Sequence, residues 1–491
     1  MKPAEGKVMK NSGADFAPVL TLILALAVNF PLGVAAQTPL PPQPASVVAN
    51  LPRDLTLQQA EQLLLQRNLA VLAAKYQVEA NRAARLIASF RPNPTLTIGA
   101  EQFNLSNKLF HNIARTDSNS AAATTYTLRY DQLIERGGKR ELRTELADCQ
   151  LKASEAQMLD AARTQLYQLR QAFTSAALAR ENLLLAQSTQ EQYERTIRLT
   201  AAKVESGDLA GVELYRAQAA SLQFQQAVQQ ARTSYQQATR DILNLLGARA
   251  EDIQSTGRVA SLKSDSVGND GTDAKFIEAS LTTALPGKDE FADEPLRIDF
   301  KFDDRPIAIS LAEMRDISLA ERPDVMAARN LYEAAMKGVS LAQAQRARDW
   351  SVGTFLQRIG SDQTAGVNVS IPLFLHNKGL AAISQAEAQK EAAAALVRQT
   401  ELQAVTDVEK ANLAYQSARH TLDLYNSTTL ERAGKLKAIA AVSYREGASS
   451  LLELLDAERT YNQTINAYNQ ARADYQMALW QLEQAIGRPL R

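Results

Sequence analysis

Two carboxylates, Glu453 and Asp456, stand three residues apart in the stretch SYREGASSLLELLDAER, residues 443–459. That spacing puts both on one face of a helix. Such a pair is most often a solvated helix face. Carboxylates gathered into a ring, by contrast, favour cations and can hold divalent ions. The same design recurs in the first half of the chain, in AKVESGDLAGVELYRAQ, where Gly207 corresponds to Gly447 and Glu213 to Glu453.

Other chemistry finds little support. The three histidines, His111, His376 and His420, have no metal-ligand spacing, and the single cysteine, Cys149, adds nothing to them. The expectation is therefore no metal site, no cofactor and no enzyme. ERGGKR (135–140) contains Gly-Gly-Lys but lacks the P-loop spacing and the hydroxyl residue after the lysine. No Ser/His/Asp arrangement emerges, and the seven methionines are too scattered for a metal relay. Lys plus Arg equals Asp plus Glu at 54 each, so net charge gives no reason to expect a nucleic-acid partner.

The N-terminus carries Lys2, Lys7 and Lys10, then the apolar run Phe16–Val28, then Val34 and Ala36 at small-residue cleavage positions. This is the pattern of a secretory signal peptide over residues 1–36. A retained anchor is the alternative, but the run falls short of the ~20 residues of a spanning helix. No cysteine follows the cleavage point, so lipid attachment there is not expected. The proline-rich TPLPPQP then reads as an extended linker, assigned to 37–53.

The carboxylates sit within a unit written twice. Tyr126, Leu128, Tyr130 and Gly138 align with Val367, Val369, Ile371 and Gly379, and farther on Ala217, Tyr235 and Gly247 align with Ala457, Tyr475 and Gly487. In-order identities over this length mark a duplication. The first repeat is placed at 54–249, a linker rich in Gly, Asp and Ser at 250–306, and the second repeat at 307–491. Each repeat reads as a helix (about 57–90 in the first), two strands, and a hairpin of two long helices. The first repeat's hairpin spans roughly 139–205 and 210–246; the second's spans roughly 379–445 and 450–486. Ala, Gln, Leu, Glu and Arg dominate these segments, all good helix formers. Leu166, Leu169, Phe173 and Ala176 follow coiled-coil spacing, as do Tyr468, Ala471, Tyr475, Ala478, Leu482 and Ala485. Gly207 and Gly447 are then the turns between antiparallel helices.

The strands alternate. Val367, Val369, Ile371 and Leu373 interleave with Asn368, Ser370 and Pro372; Tyr126, Leu128 and Tyr130 interleave with Thr127, Arg129 and Asp131. One apolar and one polar face suits a transmembrane barrel strand, and equally a half-buried strand of a soluble sheet. Four strands cannot close a barrel, so the membrane reading requires oligomerisation.

Over the whole mature chain this plan resembles the outer-membrane factor family, the TolC-like exit ducts of Gram-negative efflux pumps. DQLIERGGKRELR (131–143) and VSIPLFLHNKG (369–379) resemble the strand-to-helix junctions of its heavy-metal branch, the partners of cobalt-zinc-cadmium and copper-silver exporters. YREGASSLLELLDAER resembles the family's periplasmic tip. The resemblance implies a mainly α fold with transmembrane β: a homotrimer whose 12-stranded β-barrel in outer-membrane lipid continues into a coiled-coil tunnel in the periplasm. It implies a periplasmic adaptor docking at the tip, on Gly207, Leu209, Gly447 and Leu451, and an inner-membrane RND-type pump. It implies a gate at Glu453 and Asp456, closed by a hydrogen bond between Tyr444 and Glu213. Multidrug members carry an arginine where this chain has Ser449, so the latch differs, with Arg445 or Arg216 as substitutes. The implied function is passive exit of metal ions or small toxic solutes. A type I protein-secretion duct and a pore-free coiled-coil scaffold are the competing readings.

Overall fold

The computed structural model describes residues 51–101, 125–249, 251, 253, 296–359, 362–375, 378–425 and 427–490. The expected signal peptide, nearly all of the proline-rich linker, most of 250–306, His111 and His376 lie outside these residues.

The first repeat begins with strand β1 (Asp54–Thr56), helix α1 (Leu57–Arg67) and helix α2 (Leu69–Ser89). Strands β2 (Thr95–Glu101) and β3 (Thr125–Ile134) follow, then α3 (Lys139–Glu205) and α4 (Gly211–Leu245). A short β4 (Arg297–Asp299) precedes the second repeat. That repeat comprises α5 (Leu311–Glu321), α6 (Pro323–Ala344), β5 (Trp350–Ile359), β6 (Asp362–Ser370), α7 (Leu380–Leu424), α8 (Ser427–Arg445) and α9 (Leu451–Ile486). Helix α3 alone has 67 residues, roughly 100 Å at 1.5 Å per residue. No helix among the described residues is long and apolar enough to cross a membrane.

Two helices expected as continuous are broken, each for a local reason. The segment 57–90 divides at Asn68, whose side chain accepts from the backbone N–H groups of Ala70 and Val71 and so caps α2. Its amide also donates to Gln165 and to the Leu245 carbonyl, which makes the break a tertiary anchor. Arg322 occupies the matching position of the second repeat, with Pro323 starting α6. The segment 379–445 divides at Tyr425, between α7 and α8. Thr428 and Thr429, which follow the break, are residues whose side chains compete with helical backbone bonding. The Thr429 hydroxyl accordingly donates to the Leu424 carbonyl across the break.

The helical core follows the coiled-coil seam. Leu169, Phe173 and Ala176 of α3 pack with Leu64 of α1, Ile242 of α4, and Leu55 and Ile298 of the parallel β1–β4 pair. The second repeat builds the matching cluster from Val408, Ala411, Tyr475, Leu479 and Leu482. Tyr235 and Tyr475, equivalent in the duplication, each donate to a backbone carbonyl of the connecting segment, Leu296 and Arg305 respectively. The repeats are also stitched by Arg170, which pairs with Glu61 at 2.6 Å and Glu483 at 2.7 Å and stacks on Trp480.

The four longer strands form one antiparallel sheet in the order β2-β3-β5-β6. Its register sorts the residues by polarity. One face carries Leu96, Tyr130, Thr354 and Val367 in one row, and Ile98, Leu128, Leu356 and Ala365 in the next. The other carries Thr95, Asp131, Gly353 and Asn368, then Thr97, Arg129, Phe355 and Gly366. Ile98 is 77% exposed and Val367 71%, so the apolar face is uncovered within the single chain.

Candidate functional site: the paired tip turns and the two-faced sheet

The two tip turns are built alike. Gly207 and Gly447 adopt positive φ of 86° and 79°, a conformation that L side chains enter at a cost. Each closes its helix by the same pair of bonds: Gly207 N–H to Val204 O and Asp208 N–H to Lys203 O, and Gly447 N–H to Tyr444 O and Ala448 N–H to Ser443 O. Space around both glycines is open, so the backbone rather than crowding selects glycine here. Ser450 then caps α9 by accepting from the Glu453 N–H at 3.3 Å, which places Glu453 in the first turn. A carboxylate there is favoured by the helix dipole.

The expected gate residues are together at this end, with partners that differ from expectation. Glu453 and Asp456 are both exposed on α9. Asp456 lines a cleft of about 650 Å³ between α3, α4 and α9, with Arg459, Thr189 and Asn462. Tyr444 is only 4% exposed, and its hydroxyl lies 2.7 Å from Thr200 Oγ1. Within the single chain Glu213 pairs with Arg216, one helical turn away, at 2.7 Å, rather than with Tyr444. Lys203 completes the tyrosine's surroundings, donating to the Tyr444 carbonyl at 2.9 Å with its ammonium 5.3 Å from the ring centre. Arg216 is thus engaged within its own helix, and Arg445 lies 3.5 Å from Glu446. The Ser449 hydroxyl is buried without a hydrogen-bond partner among the described residues.

The docking residues also divide. Gly207 and Gly447 are exposed and Leu209 is half-buried. Leu451 is not available at the surface as expected. It is 5% exposed and packs with Ala217, Tyr444 and Leu454, while its neighbour Leu452 is 76% exposed. Leu451, Leu454 and Glu458 follow the seam spacing, so Leu451 is a core position of the tip bundle.

That seam contains a group absent from the sequence expectation. Glu458 is 4% exposed, and its Oε2 has no hydrogen-bond partner among the described residues. Burial raises its pKa above the ordinary carboxylate value, and the field of Lys437 opposes this in part. Burial likewise lowers the pKa of Lys437, whose ammonium sits 4.4 Å from the Tyr461 ring centre. Tyr193 is pushed up to about 12, first by burial, then by Glu458 and Tyr444. A glutamate at a seam position was the available signal.

On the sheet's polar face, Gly353 lies between Asp131 and Asn368 across three strands. A Cβ at Gly353 would collide with Asp131 Oδ1 and stand 2.8 Å from the Tyr130 carbonyl oxygen. Its absence lets the Asn368 amide reach over the middle strand to Asp131 at 3.2 Å, and Arg129 donates to the same carboxylate at 2.9 Å. No three His, Cys, Asp or Glu among the described residues are grouped to hold a metal ion.

Solved proteins share this architecture. The outer-membrane channel OprN superposes with a TM-score of 0.64 at 22% identity, over 88% of this chain and 90% of that one. The outer membrane protein VceC of Vibrio cholerae gives 0.65 at 17% identity, over 89% and 97%. At these identities the likeness establishes the fold, a barrel-forming sheet joined to a helical tunnel. Alkaline protease secretion protein AprF of Pseudomonas aeruginosa is 23% identical over 325 residues, 63% of this chain and 58% of AprF's length. A sequence model of the outer membrane efflux proteins, channels rather than enzymes, matches residues 60–248 and 315–488, most of both repeats, and the chain therefore belongs to the Outer membrane efflux protein family.

Proposed function

We propose that three copies of this chain assemble into a gated exit duct that conducts solutes passively from the periplasm through the outer membrane. The observation that carries this reading is the sheet: one face apolar and exposed, the other polar and cross-linked, with edges β2 and β6 unpaired among the described residues. Open edges are not tolerated in lipid, and three sheets joined edge to edge make an even-numbered barrel of twelve strands. In such a trimer the tip turns face the inner membrane, where a periplasmic adaptor joins them to an RND-type pump. Residues 1–36 serve as the export signal, and the repeats 54–249 and 307–491 each supply one strand pair and one tip turn.

Glu453 and Asp456, exposed at the tip and repeated by the three-fold axis, form the acidic constriction, with Tyr444 and Glu213 beside it. The cargo we favour is metal ions or small toxic solutes, selected by pump and adaptor. The similarity to AprF supports a second reading, a duct for protein secretion. Single-channel recording of detergent-purified protein in a planar bilayer tests the duct. Discrete conductance steps from a trimer are expected. A water-soluble monomer giving no steps would replace the duct with a coiled-coil scaffold. Loss of metal or drug resistance on gene deletion, against loss of a secreted protein, separates the two cargo readings.

A further inference from the structure

All four strand–helix connections meet at one end of the sheet, because β2 and β5 start there and β3 and β6 end there. Each connection carries an exposed cation: Arg91 before β2, Arg136 after β3, Arg348 before β5 and Lys378 after β6. None of the four makes an ion pair among the described residues. The nearby acids are already engaged: Glu135 by Arg143 at 2.8 Å, Asp349 by Lys139 at 2.8 Å and Glu141 by Arg140 at 2.6 Å. The chain as a whole is charge-neutral, so this end of the sheet holds a local positive excess.

Two of the cations sit directly against aromatic rings. The Arg136 guanidinium lies 4.6 Å from the Trp350 ring centre and that of Arg348 lies 5.9 Å from the Phe374 ring centre. Phe90, Ile134, Trp350, Leu373 and Leu375 are all exposed beside them. Aromatic rings at the edge of an apolar band, capped by guanidinium groups, match the boundary between acyl chains and phosphates. The planar guanidinium fork also matches a phosphate oxygen pair.

We infer that Arg91, Arg136, Arg348 and Lys378 form a belt that binds the headgroup phosphates of anionic phospholipids in the leaflet at the helical end of the sheet. This rests on the proposal that the sheet is a membrane barrel. It adds a defined lipid class and a defined set of contacts to that reading. The belt fixes the depth of the barrel, since cations at four connections resist movement into the acyl region.

The test uses the full-length trimer in nanodiscs containing equal phosphatidylglycerol and phosphatidylcholine, followed by native mass spectrometry of retained lipid. Basic residues near an anionic leaflet each raise the local preference by about fivefold. Several-fold enrichment of phosphatidylglycerol is expected for the wild type, falling to near equality in the Arg91→Gln, Arg136→Gln, Arg348→Gln, Lys378→Gln variant. Enrichment that survives all four substitutions overturns the belt. A wild-type measurement needs no variant: enrichment must fall at ~1 M salt, where the screening length is ~3 Å, and salt-independent enrichment overturns the belt. Inorganic phosphate retained by the wild type and lost in the fourfold variant, with no preference between the two lipids, would indicate a free-phosphate site and also overturn it. Channel steps in a planar bilayer separate the two proposals. Wild-type steps without lipid preference reject the belt alone, and a water-soluble wild type without steps rejects the duct and the belt together.

Discussion

The Tyr444 hydroxyl lies 2.7 Å from Thr200 Oγ1, so the second tip hairpin is hydrogen-bonded to the first within one chain. The bond is buried, and Lys203 of the first hairpin reinforces it by donating to the Tyr444 carbonyl at 2.9 Å. Parting the hairpins breaks both contacts. In an opening mechanism where the second hairpin moves away from the first, this pair is the intrachain fastening.

Tyr444→Phe removes the hydroxyl while keeping the ring and its packing. Thr200 stays satisfied through its bond to the Thr196 carbonyl. The expected cost is that of one buried hydrogen bond, about 1 kcal/mol, or roughly a fivefold rise in the open-state population if the bond exists only in the closed state. Bilayer recordings should show longer or more frequent high-conductance dwells. Dwell times identical to wild type would show that Tyr444 does not restrain the hairpin.

Substituting both Glu453 and Asp456 by Ala tests the acidic constriction. The two side chains are exposed, so the fold of the chain should be kept. Conductance is expected to rise, and block by divalent cations to weaken by an order of magnitude or more, as expected for loss of a carboxylate ring (about tenfold per 1.4 kcal/mol). Equal conductance and equal block in mutant and wild type would remove these residues from the gate while leaving the duct intact.

Glu458 predicts a pH dependence with a definite sign. Its pKa is raised in the folded state relative to the ordinary value of 4.5. Below the unfolded value the proton is bound in both states and no penalty arises. As pH rises toward the folded value, the unfolded chain ionises first, and stability is lost until the folded pKa is passed. Glu458→Gln should therefore flatten the acid-side stability profile and raise the melting temperature at neutral pH, because the amide carries no charge to desolvate. Lys437, Tyr193 and Tyr444 are the neighbouring groups that act on this cluster. A melting temperature that is lower in the Gln variant at both pH 5 and pH 8 would mean that the carboxylate stabilises the bundle.

The sequence disclosed patterns that repeat with a period and concealed those that depend on a partner across the fold. Coiled-coil spacing located Leu169 and Phe173 in the core, and alternation separated Val367 and Val369 from Asn368, because both patterns are local. The tip glycines were legible because an αL turn between helices has few other solutions. The partner of Tyr444 was not: Thr200 is one of many threonines in α3, and only the three-dimensional approach of two hairpins selects it. The burial of Leu451 in the single chain was hidden for the same reason. Its neighbour Leu452 is chemically identical, and a single residue of helical phase decides which one faces the bundle. Asn68 reads as an ordinary polar residue until its bonds to Gln165 and Leu245 show it fixing a helix break.

Gly353 offers a test of the barrel that is independent of the tip. Its missing side chain is what allows Asn368 to reach Asp131 across the middle strand. In Gly353→Ala the new methyl must displace the Asp131 carboxylate and press on the Tyr130 carbonyl, which is backbone and cannot swing aside. Overpacking and a lost polar bridge together cost about 1–3 kcal/mol per chain, and the proposed trimer would contain the change three times. The expected result is a detergent-solubilised trimer that dissociates at lower temperature, with helical content preserved, because the atoms nearest the new methyl all belong to the sheet. Gly99→Ala is the control, since a Cβ there meets only the Thr127 Cβ at 3.9 Å. If both variants melt with the wild type, the bridge over Gly353 does not contribute to barrel stability.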